Sequence, residues 1–373
     1  MGAAGHGGHA TRGGRHQARR RKVPASHPEI ERRSLNGSER FLAACARKPV
    51  DRTPVWMMRQ AGRYLPEYRA MRANVDFLTL CKTPDLAAEV ALQPIERFGM
   101  DGCVIFSDIL IPVEAMGAPV SFGDAGPKLD RPVRTLADVE RLRVPDPVES
   151  MPFTLDALRL ARTALADRAA LVGFVGGPFT LASYLIEGGG SKTYANTKQL
   201  LYSEPASMHA LLAKLAQTIA GFAAAQVEAG AQAIQVFDTW AGELSPEAYE
   251  EFAVPYQAEV IARAKRAGVP VILFVNGCAG KLHAMMRAGP DVLSIDWRVE
   301  LAAVRKQVGD GVALQGNVDP CVLLATPDAV TSSARAAMIS AGPLGHILNL
   351  GHGVMPATPL ECAQAFVDAP KSP

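Results

Sequence analysis

No C-x-x-C pair occurs in the 373 residues, and no apolar run approaches the roughly 18 to 20 residues that cross a bilayer. The six cysteines (Cys45, Cys81, Cys103, Cys278, Cys321, Cys362) are scattered, several inside apolar runs, which reads as reduced thiols in a cytoplasmic protein without a membrane segment. No G-x-G-x-x-G follows the first apolar run, which counts against an open doubly wound sheet. No acid occurs as far as His27, where six basic residues (Arg12, Arg15, Arg19, Arg20, Arg21, Lys22) and four of the eight histidines stand with almost nothing apolar to bury. Residues 1–36 therefore read as a disordered Gly/His/Arg-rich tail. The tail lacks aromatics to stack on bases and the amphipathic apolar face of a transit helix, so neither nucleic-acid binding nor organelle targeting is expected. His6 and His9, among glycines, do not make a metal site. Taking the six tail charges from the formal +2 leaves about −4, so overall basicity says nothing of the remainder.

What remains, 37–373, has a globular composition and reads as one domain. Short apolar runs recur at Val55–Met58, Cys103–Phe106, Leu171–Val175, Ala233–Phe237, Val269–Val275, Val292–Ile295, Val312–Leu314 and His346–Leu350. Alanine- and leucine-rich stretches with helical spacing lie between them, such as Met208–Gly221 and Tyr249–Ala264. Eight strands alternating with helices predict an α/β fold of the (β/α)8 TIM-barrel type. Thr83-Pro84-Asp85, Ser245-Pro246-Glu247, Thr326-Pro327-Asp328 and Thr358-Pro359-Leu360-Glu361 each read as an N-cap, proline at the first helical position and an acid in the first turn. They fall several residues after strand ends, so the polar groups in between belong to loops. Asp146 to about Ala170 reads as a longer connection. The runs end in Arg59, Ser107-Asp108, Gly176-Gly177-Pro178, Asp238-Thr239, Asn276-Gly277, Asp296-Trp297, Asn317-Val318-Asp319 and Gly351-His352-Gly353. In a barrel these would meet at the C-terminal mouth, where such folds build their sites.

The densest chemistry stands between Arg52 and Arg72: five arginines (Arg52, Arg59, Arg63, Arg69, Arg72), no lysine, and one acid, Glu67. Guanidinium forks match carboxylates or phosphates two bonds at a time, so this stretch suits an anion with several fixed negative groups. PVWMM reads as a buried strand, and Pro66-Glu67 as a first helical turn. Arg59 and Arg63 then lie in a strand-to-helix connection. Met57, Met58, Phe106 and Phe237 read as core and pocket wall. Gly188-Gly189-Gly190 reads as a mobile loop over the cleft, because no P-loop lysine follows it.

MRQAGRYLPEYR resembles the N-terminal signature of the uroporphyrinogen decarboxylase family. The resemblance runs from about Phe41 to Asp368, through IFSDIL, GPFTLASYLIEGGGS, FDTWAG, QGNVDP and NLGHGV. It implies a homodimeric, cofactor-free, metal-free enzyme of haem biosynthesis that converts four acetates of uroporphyrinogen III to methyls, giving coproporphyrinogen III. It places substrate contacts on Arg59, Gln60, Ala61, Gly62, Arg63, Arg72, Asp108, Tyr184, Thr239 and His352, with Asp108, Arg59, Tyr184 and His352 catalytic. Thr239 stands where serine is common in the family and keeps the hydroxyl. Losing CO2 from an acetate on a pyrrole needs an electron sink, which protonation of the ring supplies. A fixed carboxylate, Asp108, would meet the resulting cation and the pyrrole N–H donors. A guanidinium is a poor proton donor near neutrality, so Arg59 would orient a carboxylate or a donor water. The competing reading is a zinc-dependent, corrinoid-linked methyltransferase on the same barrel, whose H-x-C pattern reads Asn276-Gly277-Cys278 here. A non-catalytic tetrapyrrole binder is a third.

Overall fold

The computed structural model describes residues 34–123 and 126–371. The expected tail, with His6 and His9, lies outside them apart from Ser34, Leu35 and Asn36. The folded part begins ahead of the expected boundary at 37: Leu35 N donates to Asp51 Oδ2 (3.2 Å), and Asn36 caps the first helix, α1 (Gly37–Cys45), in a reciprocal box with Glu39.

Seven strands form one parallel sheet in the order β1, β4, β5, β6, β7, β8, β9. They are β1 (Gly102–Val104), β4 (Ala170–Gly176), β5 (Ala233–Phe237), β6 (Val271–Phe274), β7 (Val292–Ser294), β8 (Ala313–Val318) and β9 (His346–Leu350). The eighth expected strand, Val55–Met58, is reduced to one parallel bridge between Val55 and Leu348. Side chains replace most of its ladder. Val55 N donates to Asp101 Oδ2 (2.9 Å), Met57 N to Gln60 Oε1 (3.0 Å) and Met58 N to Asn349 Oδ1 (3.0 Å). Trp56 N still reaches Leu348 O of β9 (3.2 Å), and Asp101 N, just before β1, reaches Val55 O (2.8 Å). The segment thus bonds to both outer strands of the sheet, an α/β arrangement that fits a TIM-type barrel.

Helix α1 packs Phe41, Ala44 and Cys45 against Trp56, Val104, Ala170, Ala233, Val292 and Ala313, near the N-terminal strand ends. Above this layer the interior is polar: Trp56 Nε1 donates to Gln315 Oε1 (2.9 Å), and Gln315 Nε2 to Gln235 Oε1 (3.1 Å) and Ser294 Oγ (2.9 Å). Higher still, Phe174, Phe237 and Phe274 meet edge to face at 5.8 and 6.2 Å.

Helices α2 (Pro66–Arg72), α3 (Phe77–Lys82) and α4 (Pro84–Phe98) follow the arginine stretch. Ser245 and Thr326 cap their helices through the hydroxyl, whereas Thr83 holds the N-cap position without a side-chain bond. The fourth cap is one residue off: the last helix runs Leu360–Asp368, with Pro359 as its N-cap. The connection from Asp146 to Ala170 is itself helical, at Pro147–Ser150 and Pro152–Leu165; the latter buries Leu155, Leu158, Ala161 and Leu165. A hairpin of β2 (Val120–Gly123) and β3 (Gly126–Leu129) was not legible, each strand being four residues long and interrupted by glycine or proline. It holds down the triple-glycine loop expected to be mobile: Leu129 N donates to Gly188 O (3.0 Å), and Lys128 bridges Gly189. Helix Pro205–Glu228 is long and apolar enough to cross a membrane by length and composition alone, but 67% of its apolar window is buried inside this fold. All six cysteines are free thiols, and only Cys321 is exposed.

Candidate active site

The mouth is built from loops that leave the C-terminal ends of the strands. After β1, Asp108 is half-buried and its Oδ1 accepts from Leu110 N (2.8 Å). Its Oδ2 has no hydrogen bond among the described residues. The local turn therefore uses half of the carboxylate and leaves the other half for a ligand. Burial pushes the group up to about 6, against the opposing Leu110 N–H and the Arg59 charge.

Arg59 sits at φ 61°, in the left-handed region, where a side chain larger than hydrogen carries strain. Its stem lies along the backbone of the loop after β9, where a Cβ on Gly353 would stand 2.4 Å from Arg59 Cδ. Any larger residue there would push the Arg59 side chain aside. The next residue back, His352, accepts from Gly353 N at Nδ1 (2.8 Å), which puts its proton on Nε2. Burial, then the charges of Arg59 and Arg298, hold this imidazole down at about 4, so it is neutral near pH 7. Its ring stands edge-on to Phe274 (5.8 Å) and Trp297 (6.4 Å).

Tyr184 projects from helix Pro178–Glu187 and packs on Trp240, with ring centroids 4.0 Å apart and planes tilted by 32°. Burial, then Asp108, raises its hydroxyl to about 12, so it is a neutral donor. Thr239 is half-buried at the start of the turn that carries Trp240. Beneath both lies Asp238, fully buried. Its Oδ1 accepts from Thr180 N and Oγ1 (2.8 Å each), its Oδ2 from Gln257 Nε2 (2.8 Å), and Thr180 Oγ1 accepts from Trp240 N (3.0 Å). Asp238 thereby locks the loop after β5 to the helix of Tyr184. After β7, Asp296 does the same for two loops. It accepts from Gly277 N (2.7 Å), Cys278 N (3.0 Å) and Arg298 N (3.0 Å).

The arginine stretch divides by geometry. Arg59 and Arg63 are exposed, and neither guanidinium has a hydrogen bond or ion pair among the described residues. Arg72, half-buried, donates to Val75 O. Tyr68 and Phe77 both pack on Phe106 (5.7 and 5.8 Å), so α2 and α3 wall the same side as Asp108. Arg69 instead ties the carbonyls of Arg63 (3.0 Å) and Tyr64 (3.1 Å), and Arg52 grips Asp101 with both Nη atoms (2.7 and 2.9 Å). The Gln60 side chain is wholly buried, donating to Gly102 O (2.9 Å) and accepting from Met57 N, so it braces the strand segment. Ala61 and Gly62 lie half-buried in the turn between Arg59 and Arg63. Asp238, Trp240, Asp296, Trp297 and Arg298 lie in the loops around the mouth, and the sequence reading left them without a role. Their one local signal is that each pair or triplet directly follows an apolar run.

A zinc-and-thiol site fares poorly. Cys278 is fully buried and its thiol is raised to about 12 by burial, then Asp296; among the described residues no three His, Cys, Asp or Glu side chains are placed to hold a metal.

Comparison with known proteins gives the family. The family model for uroporphyrinogen decarboxylase (URO-D) matches residues 36–372. Uroporphyrinogen decarboxylase of Myxococcus xanthus (strain DK1622) is 49% identical over 332 residues, covering 89% of this chain and 95% of the relative. That of Anaeromyxobacter dehalogenans (strain 2CP-C) is 50% identical over 340 residues, covering 89% and 98%. Among solved structures, a methyltransferase from Methanosarcina mazei superposes with a TM-score of 0.75 over 90% of this chain and 98% of its own; at 23% identity it speaks for the fold alone. By a family match over residues 36–372, with about half of the aligned residues identical to those of relatives covered over 95% and 98% of their length, the chain belongs to the uroporphyrinogen decarboxylase family.

Proposed function

We propose that the chain removes the four acetate carboxylates of uroporphyrinogen III as CO2, leaving methyls and giving coproporphyrinogen III, in porphyrin and haem biosynthesis. The observation that carries the reading is one juxtaposition. A half-buried acid raised to about 6 faces a mouth whose exposed arginines, Arg59 and Arg63, have no carboxylate partner of their own among the described residues. A substrate with carboxylates on its rim and N–H donors at its centre satisfies both.

In each cycle a pyrrole carbon takes a proton and the ring becomes cationic. The C–CO2 bond then breaks, its electron pair passing into the ring as an exocyclic methylene. A proton on that methylene and loss of the first proton restore the pyrrole, so one H+ is consumed and one CO2 released. Ionised Asp108, through Oδ2, accepts from the pyrrole N–H groups and stabilises the cation where water is scarce. Arg59, Arg63 and Arg72 hold rim carboxylates; Arg59 also orients the reacting one. Tyr184 and Thr239 donate hydroxyl hydrogen bonds, and neutral His352 donates Nε2–H to a carboxylate. The phenylalanines Phe174, Phe237 and Phe274 give the site an apolar floor. In this reading 37–373 is a single closed barrel working as a homodimer in the cytoplasm.

An anaerobic assay with chemically reduced uroporphyrin, resolving products by carboxylate number, tests the activity. Stepwise loss of four carboxylates is the expected result; tight binding without CO2 release would make the chain a tetrapyrrole binder, and neither would reopen the thiol methyltransferase reading.

A further inference from the structure

The arginines discussed so far stand on one side of the mouth, beside β1 and the segment before it. Four strands along the sheet, at the end of β7, stands another guanidinium, Arg298. Its Cζ lies 4.0 Å over the Trp297 indole, which fixes the plane of the fork. Its Nη1 donates to Asn276 Oδ1 (3.0 Å) and Asp296 Oδ1 (3.2 Å), which fixes its direction. Its Nε and Nη2 have no partner among the described residues, and the side chain is 50% exposed. Trp297 meets His352 at 6.4 Å and the Arg298 charge acts on the His352 imidazole, so this held but half-used fork stands beside the same mouth. The Asp296 pairing uses only Nη1 and offsets the charge, yet it leaves the Nε and Nη2 hydrogens open to an acceptor.

We propose that Arg298 is a further substrate-binding residue of this reaction, its Nη2 edge gripping a rim carboxylate of the tetrapyrrole on the side remote from Arg63 and Arg72. The proposal rests on the tetrapyrrole reading above. A macrocycle with carboxylates all round its rim gains a charged contact on its far side from Arg298, where Tyr184, Thr239 and His352 offer only neutral donors. The Trp297 platform and the Asn276 and Asp296 contacts order the guanidinium before substrate arrives, so little freedom is lost on binding.

The test compares Arg298→Gln and Arg298→Lys with the unaltered chain in two measurements: quenching of tryptophan fluorescence by the planar octacarboxylate uroporphyrin, and anaerobic steady-state turnover. Arg298→Gln is expected to weaken binding and raise KM about tenfold, the loss of one charge-assisted contact, while kcat falls less than about threefold. The salt dependence of KM should become shallower, and Arg298→Lys should recover part of the affinity. Unchanged affinity and KM would overturn the proposal. So would a lowered Tm with kcat reduced at constant KM, the pattern of a residue that only braces two loops. An unaltered chain that binds the porphyrin but releases no CO2 would fail the activity alone, leaving the fluorescence titration to decide for or against Arg298. No binding at all would overturn both.

Discussion

Arg52 and Arg59 stand at the two ends of one extended segment, and their surroundings are opposite. At the N-terminal end, Arg52 and Arg40 converge on Asp101, whose side chain is 2% exposed, and Arg40 also grips Asp51 with Nε and Nη2 (2.7 Å each). Every charge there has its counter-charge within the protein. At the mouth, Arg59 and Arg63 have none among the described residues, and the acid that shares their space, Asp108, gives one oxygen to the backbone and keeps the other free. The same residue types build a clamp at one end and a receptor at the other. Pairing, not residue type, decides which, because a carboxylate that is already held cannot be exchanged for a ligand.

The largest expected effect breaks the clamp. Asp101→Ala strands two guanidinium groups beside a buried gap and frees Val55 N, so stability should fall by about 3–5 kcal/mol, read by urea unfolding. Turnover per folded molecule should hold; if activity falls while the urea midpoint stays put, the division between the ends is wrong. Next comes the receptor's acid. Asp108→Asn keeps shape and the Leu110 hydrogen bond but removes the charge, and kcat should drop about 10²–10³-fold with a Tm no lower than before. Unchanged turnover would sink the role given to Asp108.

This contrast also marks how far the sequence was legible. The strand-helix alternation follows from local pattern, so seven of the eight strand positions and most helix starts could be read. Val55–Met58 misled because its bonds run to side chains of Asp101, Gln60 and Asn349, which no periodicity encodes. The hairpin of β2 and β3 carries too few β-formers to stand out. At the candidate site, the motif named Arg59, Arg63, Asp108, Tyr184 and His352 as a group. It could not tell that Gln60 is turned inward, that Arg69 serves a turn, or that Arg52 belongs to the far end. Those distinctions depend on partners far along the chain, such as Asp101 for Arg52.

A smaller pair of changes sharpens the comparison by keeping charge and altering only geometry. Arg52→Lys loses the two-pronged grip on Asp101 and should cost about 1–2 kcal/mol of stability with KM unchanged. Arg59→Lys loses a fork that has no partner among the described residues and that the proposed function gives to substrate. Its KM should rise about tenfold with the urea midpoint unmoved. Equal effects of the two on stability would mean that Arg59 is held by the fold after all.

The smallest effect is one of pH, and there the two ends should have opposite signs. Asp108 is raised by burial to about 6 from an ordinary value near 3.8. The role proposed for it needs the ionised form, so its protonation lowers activity as pH falls: kcat/KM should decline about tenfold per pH unit below 6 and be level above it. His352, held at about 4, stays neutral through this window and adds no second limb. For stability the sign reverses. A carboxyl that binds its proton more tightly when folded is a penalty fully present above about 6, fading as pH falls and gone below about 3.8. Asp108→Asn should therefore raise Tm at pH 7 and give no advantage at pH 3.5. Asp51 behaves the other way: burial alone would raise it, but the Arg40 hydrogen bonds and charge and the Leu35 and Arg52 N–H groups hold it below its usual range. Its contribution is present above the ordinary carboxylate value and lost as pH falls through its lowered one. Tm against pH for Asp108→Asn and Asp51→Asn should thus diverge from the unaltered chain in opposite directions at pH 7 and converge on it in acid. Two curves shifted the same way at pH 7 would show that both acids are bound to the fold alike, and the mouth would lose its claim to a carboxylate kept for a ligand.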